Sequence, residues 1–264
     1  MTRRWRWLSS LAAFSAVVYA IAWIGYRQQW AWVESLDTNT LDWMRDFGTD
    51  HPGWVRFWAD LCTIAGPNAF RLLGALAVVL ALLRRNWSAA LFLLASIGLS
   101  GPVAQAAKNL ADRPRPPGQL TAALSSAFPS GHAVGVMVGV LSLLTIFWPL
   151  LTPRHPAVRF SVVGGSALLV LAVGFGRVAL VVHHPTDVLA GWALGYLWYF
   201  ACLLMIRPEP IQLTVPANQA VPTNQAVPTN QAVPTNQAVP TNPAGPVNPA
   251  GSLAETPAER DIPR

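Results

Sequence analysis

The sequence predicts an all-α fold: a polytopic membrane protein with six transmembrane helices and a disordered C-terminal tail. Three observations predict it. Apolar residues make up 53% of the 264 and charged residues only 11%, under half the usual share of about a quarter. Such a chain cannot cover a water-facing surface with polar groups, so part of that surface faces lipid. Charge is also missing in blocks: Asn86–Ala107, Ala133–Pro153, Phe160–Gly176 and Val188–Ile206 contain no Asp, Glu, Lys or Arg. Each block is close to the roughly 20 residues that cross a bilayer as a helix. Lastly, once the N-terminal arginines are placed inside, Arg84-Arg85, Arg154 with Arg159, and Arg207 fall on the same side by span count, as the positive-inside rule expects of a chain that crosses a membrane repeatedly.

Two further spans complete the six. Leu8–Tyr26 follows Arg3, Arg4 and Arg6. Ala20-Ile21-Ala22 resembles a signal-peptidase site, but the apolar run exceeds the usual signal core of about 7–15 residues, so an uncleaved anchor is expected. Pro67–Leu83 starts with Gly66-Pro67, a helix-opening pair. Its one charge, Arg71, can snorkel toward the interface where the helix begins. Between these spans, Trp43, Phe47, Trp54, Phe57, Trp58 and Leu61 recur at roughly helical spacing within Trp30–Thr63. That spacing suggests amphipathic helices at the outer interface, or ordinary packing on the bundle.

With the N-terminus inside, Arg84-Arg85, Arg154 with Arg159, and Arg207 also fall inside, while Glu34, Asp37, Asp42, Asp46, Asp50 and Asp60 fall in the first outside loop. The formal net charge of +6 is therefore topological, and nucleic acid is not an expected partner. Cys62 and Cys202 should lie a bilayer apart, too far for a disulfide. The working domain is 1–207. Within 208–264, copies of AVPTNQ begin at Ala220, Ala226 and Ala232, with a truncated copy at Ala238. A proline-rich repeat without bulky residues cannot bury enough surface to order itself.

Two remaining loops, Lys108–Gly131 and Arg177–Thr186, open at the same face and hold nearly every polar group a catalyst could use. Lys108 is the chain's only lysine and is followed by Arg113 and Arg115, so basic residues stand on the side where they are disfavoured. Headgroup anchoring would explain these cations alone, but an anion site explains them together with the turn and the histidines at the same face. Pro129-Ser130-Gly131-His132 opens an uncharged helix. Serine fits its N-cap, glycine admits a ligand to the backbone, and free N–H groups at the helix end favour phosphate. Capping does not ask for an imidazole at position 132. In the second loop Arg177, His183 and Asp187 succeed one another, with Asp187 in the first turn of the last span. Its carboxylate can accept the His183 N–H and leave the other ring nitrogen as nucleophile or base. Lys108, Arg115 and Arg177 supply cations for a phosphate and its transition state, and the two histidines can attack phosphorus and protonate the leaving oxygen. No carboxylate set has metal-ligand spacing, so no metal or other cofactor is expected.

The motifs K-x6-RP (Lys108 to Arg115-Pro116), PSGH (Pro129–His132) and R-x5-H-x3-D (Arg177, His183, Asp187) resemble, in order and spacing, the three signatures of the type 2 phosphatidic acid phosphatase superfamily. The resemblance implies a six-helix, metal-independent phosphomonoesterase or diphosphatase acting on a lipid phosphate at the outer face, with both termini inside. It implies His183 as the nucleophile of a phosphohistidine, Asp187 as its orienting group and His132 as general acid. Lys108, Arg115, Ser130, Gly131 and Arg177 would hold the phosphate. Arg113 and His184 lie beside motif positions and are secondary candidates. The third motif often begins Ser-Arg, whereas Gly176 precedes Arg177 here, removing a hydroxyl. Undecaprenyl diphosphate, phosphatidic acid and phosphatidylglycerol phosphate all fit such a site. The superfamily's vanadium haloperoxidases are soluble and fit this chain poorly. A non-catalytic lipid-phosphate binder or flipping protein would need the cations but not both histidines and Asp187.

Overall fold

A computed structural model describes residues 3–123, 125–151 and 155–211; Arg154 and the AVPTNQ repeats lie outside them. The described residues are helical, without strands. They form α1 (Arg3–Arg27), α2 (Ala31–Asp50), α3 (Pro52–Ile64), α4 (Pro67–Leu83), α5 (Trp87–Leu93), α6 (Leu99–Ala111), α7 (Gly131–Leu151), α8 (Pro156–Ala179) and α9 (Pro185–Ile206). A π-helical turn over Leu94–Gly98 joins α5 to α6. Six stretches are long and apolar enough to cross a membrane: Arg3–Arg27, Pro52–Leu83, Trp87–Ala111, Gly131–Leu151, Pro156–Ala179 and Pro185–Ile206. The second is longer than Pro67–Leu83 alone because α3 runs into α4 across a two-residue break at Ala65-Gly66. The chain is a multi-pass membrane protein.

Helices α7 and α9 form the centre. Helix α1 packs on α9, α4 and α6 pack on α7, and α8 carries α3 on its flank. The largest apolar cluster joins Ala77, Phe92, Val134, Val138, Ile146, Tyr196 and Leu203 across these helices. Residues 208–211 return to the bundle, where Ile211 donates its N–H to the Ile146 carbonyl at 3.0 Å and is buried. Asn86 Nδ2 likewise donates to the Glu209 carbonyl. Both cysteines are free and buried.

Helix α2 is amphipathic, with Val33, Asp37, Leu41, Met44 and Gly48 buried at helical spacing. That face meets α8 and α9. Asp37 is thus a buried residue rather than a solvated loop charge. The aromatic stripe divides: Trp43 and Phe57 are exposed, while Trp54 and Trp58 stack edge-on against Phe175 of α8.

The π turn carries a physical cost that the bundle offsets. Pro102 has no N–H to return to the preceding turn, and π adjustments are one way a membrane helix accommodates such a gap. Carbonyls released there must find donors inside the hydrocarbon layer. Trp198 Nε1 of α9 donates to the Ala95 and Ser96 carbonyls at 3.2 and 3.1 Å. Ser96 Oγ bonds the Phe92 carbonyl at 2.6 Å and receives Ser142 Oγ at 2.9 Å. One inserted residue turns the rest of the helix by about 100°, so this turn decides which face of α6 looks into the bundle.

Trp198→Phe keeps most of the ring volume but removes the donor that two buried carbonyls share. It should destabilise the protein by about 1–3 kcal/mol, read as a lowered midpoint of thermal unfolding in detergent.

Candidate active site

At one end of the bundle the α6–α7 loop and the α8–α9 turn meet. Ser130 donates its backbone N–H to the Asp187 carbonyl at 2.9 Å, and Leu120 donates to the Leu180 carbonyl at 3.1 Å. These bonds join segments far apart in sequence and fix the two polar loops against each other. His132 stands within electrostatic reach of His183, Arg177, Arg115 and Lys108. Lys108 in turn senses Arg115, Arg177 and Asp187. All eight residues singled out by the motifs therefore converge: Lys108, Arg115, Ser130, Gly131, His132, Arg177, His183 and Asp187.

Asp187 is fully buried at the start of α9. Arg113 Nη1 donates to its Oδ1 at 2.7 Å. Its Oδ2 accepts the His184 backbone N–H at 2.8 Å and faces His184 Nδ1 at 3.0 Å. His183 Nδ1 stands farther off, 3.6 Å from the same oxygen. The expected pairing of Asp187 with His183 is thus longer than a hydrogen bond, because His184 and Arg113 hold the carboxylate more closely. Both secondary candidates are built into the site's frame.

Arg113 extends that frame to a residue that the charge pattern assigns to the first outside loop. Its Nη2 donates to Asp37 Oδ2 at 2.8 Å, and its guanidinium lies 4.7 Å over the Tyr26 ring. Asp37 also accepts Thr186 Oγ1 at 2.6 Å and the Thr186 N–H at 3.1 Å. It thereby satisfies an N–H in the first turn of α9 from another helix. Burial works against the Arg113 charge, but Asp187 and Asp37 outweigh it and hold its pKa above the ordinary value. The signal that could have found Asp37 was its place on the apolar face of α2, with Val33, Leu41 and Met44.

Arg115 Nη1 donates to the Val182 carbonyl and lies 3.4 Å from His183 Nε2. Arginine can only donate, so Nε2 presents its lone pair and the ring proton sits on Nδ1, facing Asp187. His183 is 2% exposed. Burial, outweighing the attraction of Asp187, pushes its pKa down to about 3. Burial and then the neighbouring Arg177 also push the Arg115 guanidinium below its ordinary value, the mark of crowded cations.

Lys108 Nζ bonds the Ser126 carbonyl, and a Cβ on Gly131 would meet Lys108 Cε at 3.7 Å. Ser130 is fully buried at the start of α7, yet its Oγ makes no capping bond and has no partner; Arg177 Nε is likewise buried and unpartnered. The expected serine cap is therefore a spare hydroxyl beside spare cationic N–H groups. Gly176 faces α3: a Cβ there would stand 2.7 Å from Cys62 Sγ and 3.0 Å from Trp58. A cavity of about 350 Å³ opens beside this cluster, lined by Lys108, Gly131, His132 and residues of α4 and α6. Among the described residues, no group of three or more His, Cys, Asp or Glu side chains is arranged to hold a metal ion.

The charge balance matches an oxyanion. Asp37, Arg113 and Asp187 leave one negative charge among themselves, against three positive charges on Lys108, Arg115 and Arg177. With neutral histidines the centre carries two positive charges, the complement of a phosphate dianion.

Comparison with known proteins agrees with this architecture. The family model described as the PAP2 superfamily matches residues 89–210. The chain is 31% identical over 157 residues to phosphatidylglycerophosphatase B of Bacillus subtilis (strain 168), covering 58% of this chain and 70% of that protein. A crystal structure of a transmembrane PAP2-type phosphatidylglycerolphosphate phosphatase from Bacillus subtilis superposes with a TM-score of 0.60. It is 23% identical and covers 74% of this chain and 93% of that one.

Two outcomes are expected from the buried charges. Asp37→Ala leaves Arg113 with one carboxylate and should cost about 3–5 kcal/mol, read as a lower unfolding midpoint than Asp37→Asn. His183 has a folded pKa of about 3 against about 6.5 when unfolded, so the unfolded chain binds the extra proton in that window. Its contribution to stability is complete above pH 6.5 and is lost as pH falls toward 3. His183→Gln should make the unfolding midpoint less sensitive to acid over that range.

Proposed function

The chain belongs to the PAP2 superfamily, and on that premise we propose that it is a metal-independent lipid phosphatase working through a phosphohistidine. The observation that carries the reading is the His183 ring, whose Nε2 lone pair is turned to the arginine cluster by Arg115 while its Nδ1 proton faces Asp187. The name of the 31% identical relative supports a glycerolipid phosphate as substrate; the cationic cluster would equally accept a lipid diphosphate.

In the first step His183 Nε2 gives its electron pair to phosphorus and the bond from phosphorus to the leaving oxygen breaks. His132, protonated once the anion is bound, delivers that proton to the oxygen, releasing a lipid alcohol from a monoester or a lipid phosphate from a diphosphate, and is left neutral. Lys108, Arg115, Arg177, Ser130 Oγ and the Gly131 N–H hold the phosphoryl oxygens as charge spreads over them. Asp187 stabilises the ring as it becomes positive. Water then attacks phosphorus, His132 takes its proton, and the P–N bond breaks to free phosphate and restore His183. The distribution of Arg3, Arg4, Arg6, Arg84, Arg85, Arg159 and Arg207 at the end opposite the site supports an outward-facing centre with cytoplasmic termini.

Purified protein should release phosphate from lipid phosphates with EDTA present, and His183→Ala should abolish release. A rapidly quenched reaction should trap an acid-labile phosphoenzyme that is absent from His183→Ala. His132→Ala should slow natural lipid substrates by about 10²–10⁴-fold and activated aryl phosphates far less, since a good leaving group needs no proton. Absence of phosphate release by the wild-type protein, with lipid binding retained, would favour a non-catalytic binder or flipping protein.

A further inference from the structure

His183 is buried with its ring Nδ1 unbonded, 3.6 Å from the carboxylate expected to hold it. Asp187 is drawn the other way: Arg113 Nη1 bonds its Oδ1 at 2.7 Å, and the His184 N–H bonds its Oδ2 at 2.8 Å. How much of the Asp187 charge acts on His183 therefore depends on how far Arg113 offsets it. Arg113 carries a second acid, for its Nη2 donates to Asp37 Oδ2 at 2.8 Å. With Asp37 charged, the guanidinium is already balanced and the charge of Asp187 is left over. With Asp37 neutral, Arg113 would offset Asp187 and the group as a whole would carry no charge.

Asp37 is also fixed to the turn it serves. It is 2% exposed and accepts Thr186 Oγ1 at 2.6 Å and the Thr186 N–H at 3.1 Å, on the residue next to Asp187. It comes from α2, ahead of the residues 89–210 that the family model matches. The third motif places an acid beside the histidine; the balancing of Arg113 is left to a helix outside the motifs.

The two halves of a phosphohistidine cycle ask different things of that leftover charge. When His183 Nε2 attacks phosphorus the ring becomes positive, and a negative group facing Nδ1 lowers the barrier. When water breaks the P–N bond the ring sheds that charge and leaves as neutral imidazole. The same negative group then favours the intermediate over the transition state. Loss of the Asp37 charge should therefore slow the first half and spare the second. A residue that only braced the fold would not divide the halves in this way.

We propose that Asp37 is a positioning residue of the reaction centre: by balancing Arg113 it leaves the charge of Asp187 free to promote attack by His183. Its kinetic consequence rests on the phosphatase reading. The test compares full-length wild-type protein with Asp37→Asn, Asp37→Glu and Leu41→Ala in detergent, below every unfolding midpoint. Leu41→Ala opens a void on the same buried face of α2 without changing charge. Turnover of saturating dioctanoyl phosphatidic acid and the phosphoenzyme trapped by acid quench, both per folded protein, give the rate constants of the two halves. Asp37→Asn should slow phosphorylation about ten-fold, the equivalent of one unit in the basicity of the ring, and leave hydrolysis of the phosphoenzyme unchanged or faster. Asp37→Glu should recover most of the loss, and Leu41→Ala should show none. A readout without turnover is the Nδ1 proton of His183, followed by magnetic resonance with nitrogen-labelled histidine and assigned by its loss in His183→Gln. It should move to higher field in Asp37→Asn. Unchanged phosphorylation in Asp37→Asn, an equal fall in both halves, the same pattern in Leu41→Ala, or an unmoved ring proton would overturn the role. A wild-type protein that forms no phosphoenzyme and releases no phosphate would instead sink the phosphatase reading, and the ring proton alone would then decide whether Asp37 acts on His183.

Discussion

Asp187 has two carboxylate oxygens and no contact with solvent; three donors bond them, Arg113, the His184 N–H and the His184 ring, while the His183 ring stands 3.6 Å off. A buried carboxylate is tolerated only when it is paired and hydrogen-bonded. Arg113 is buried beside it, and Asp37 gives it a second negative neighbour that completes the group. The resulting chain of charges fastens α2, the loop after α6 and the first turn of α9 to one another. It also sets the distance at which His183 is held. The histidine is oriented by a carboxylate already committed to other donors, so its Nδ1 proton is guided toward Asp187 without being tightly bonded.

The electrostatics of the centre then depend on which charges are balanced and which are left over. The Asp37–Arg113–Asp187 group is nearly self-compensating and stays in the protein. Lys108, Arg115 and Arg177 are not compensated, and two of the buried polar atoms without partners, Ser130 Oγ and Arg177 Nε, belong to the same site. Such an arrangement is unfavourable until an anion arrives. Stability is spent there, and the α7–α9 core supplies it elsewhere.

The spans were legible in the sequence because lipid imposes a long, unbroken apolar signal that needs no partner to be recognised. The candidate-site residues stand out in the sequence because each motif keeps its polar groups within a few positions. Asp37 was not, since its meaning depends on Arg113 and Thr186, 76 and 149 residues away. From local pattern alone it reads as one more acid among those of α2. The π turn was equally hidden: Pro102 announces a gap in the hydrogen bonding, but only Trp198 on another helix shows how the gap is closed. Ser130 reads as a cap by position, and the structure leaves its hydroxyl unpartnered.

Gly176 shows how tightly one seam of the bundle is closed. Its α-carbon faces the thiol of Cys62 and the indole of Trp58 at a separation that admits no further atom. A serine here, common at this position in the third motif, would press its first carbon against that sulfur, so the Cys62 or Trp58 side chain must shift to admit it. The close seam of α3 on α8 and a hydroxyl next to Arg177 thus compete for the same space.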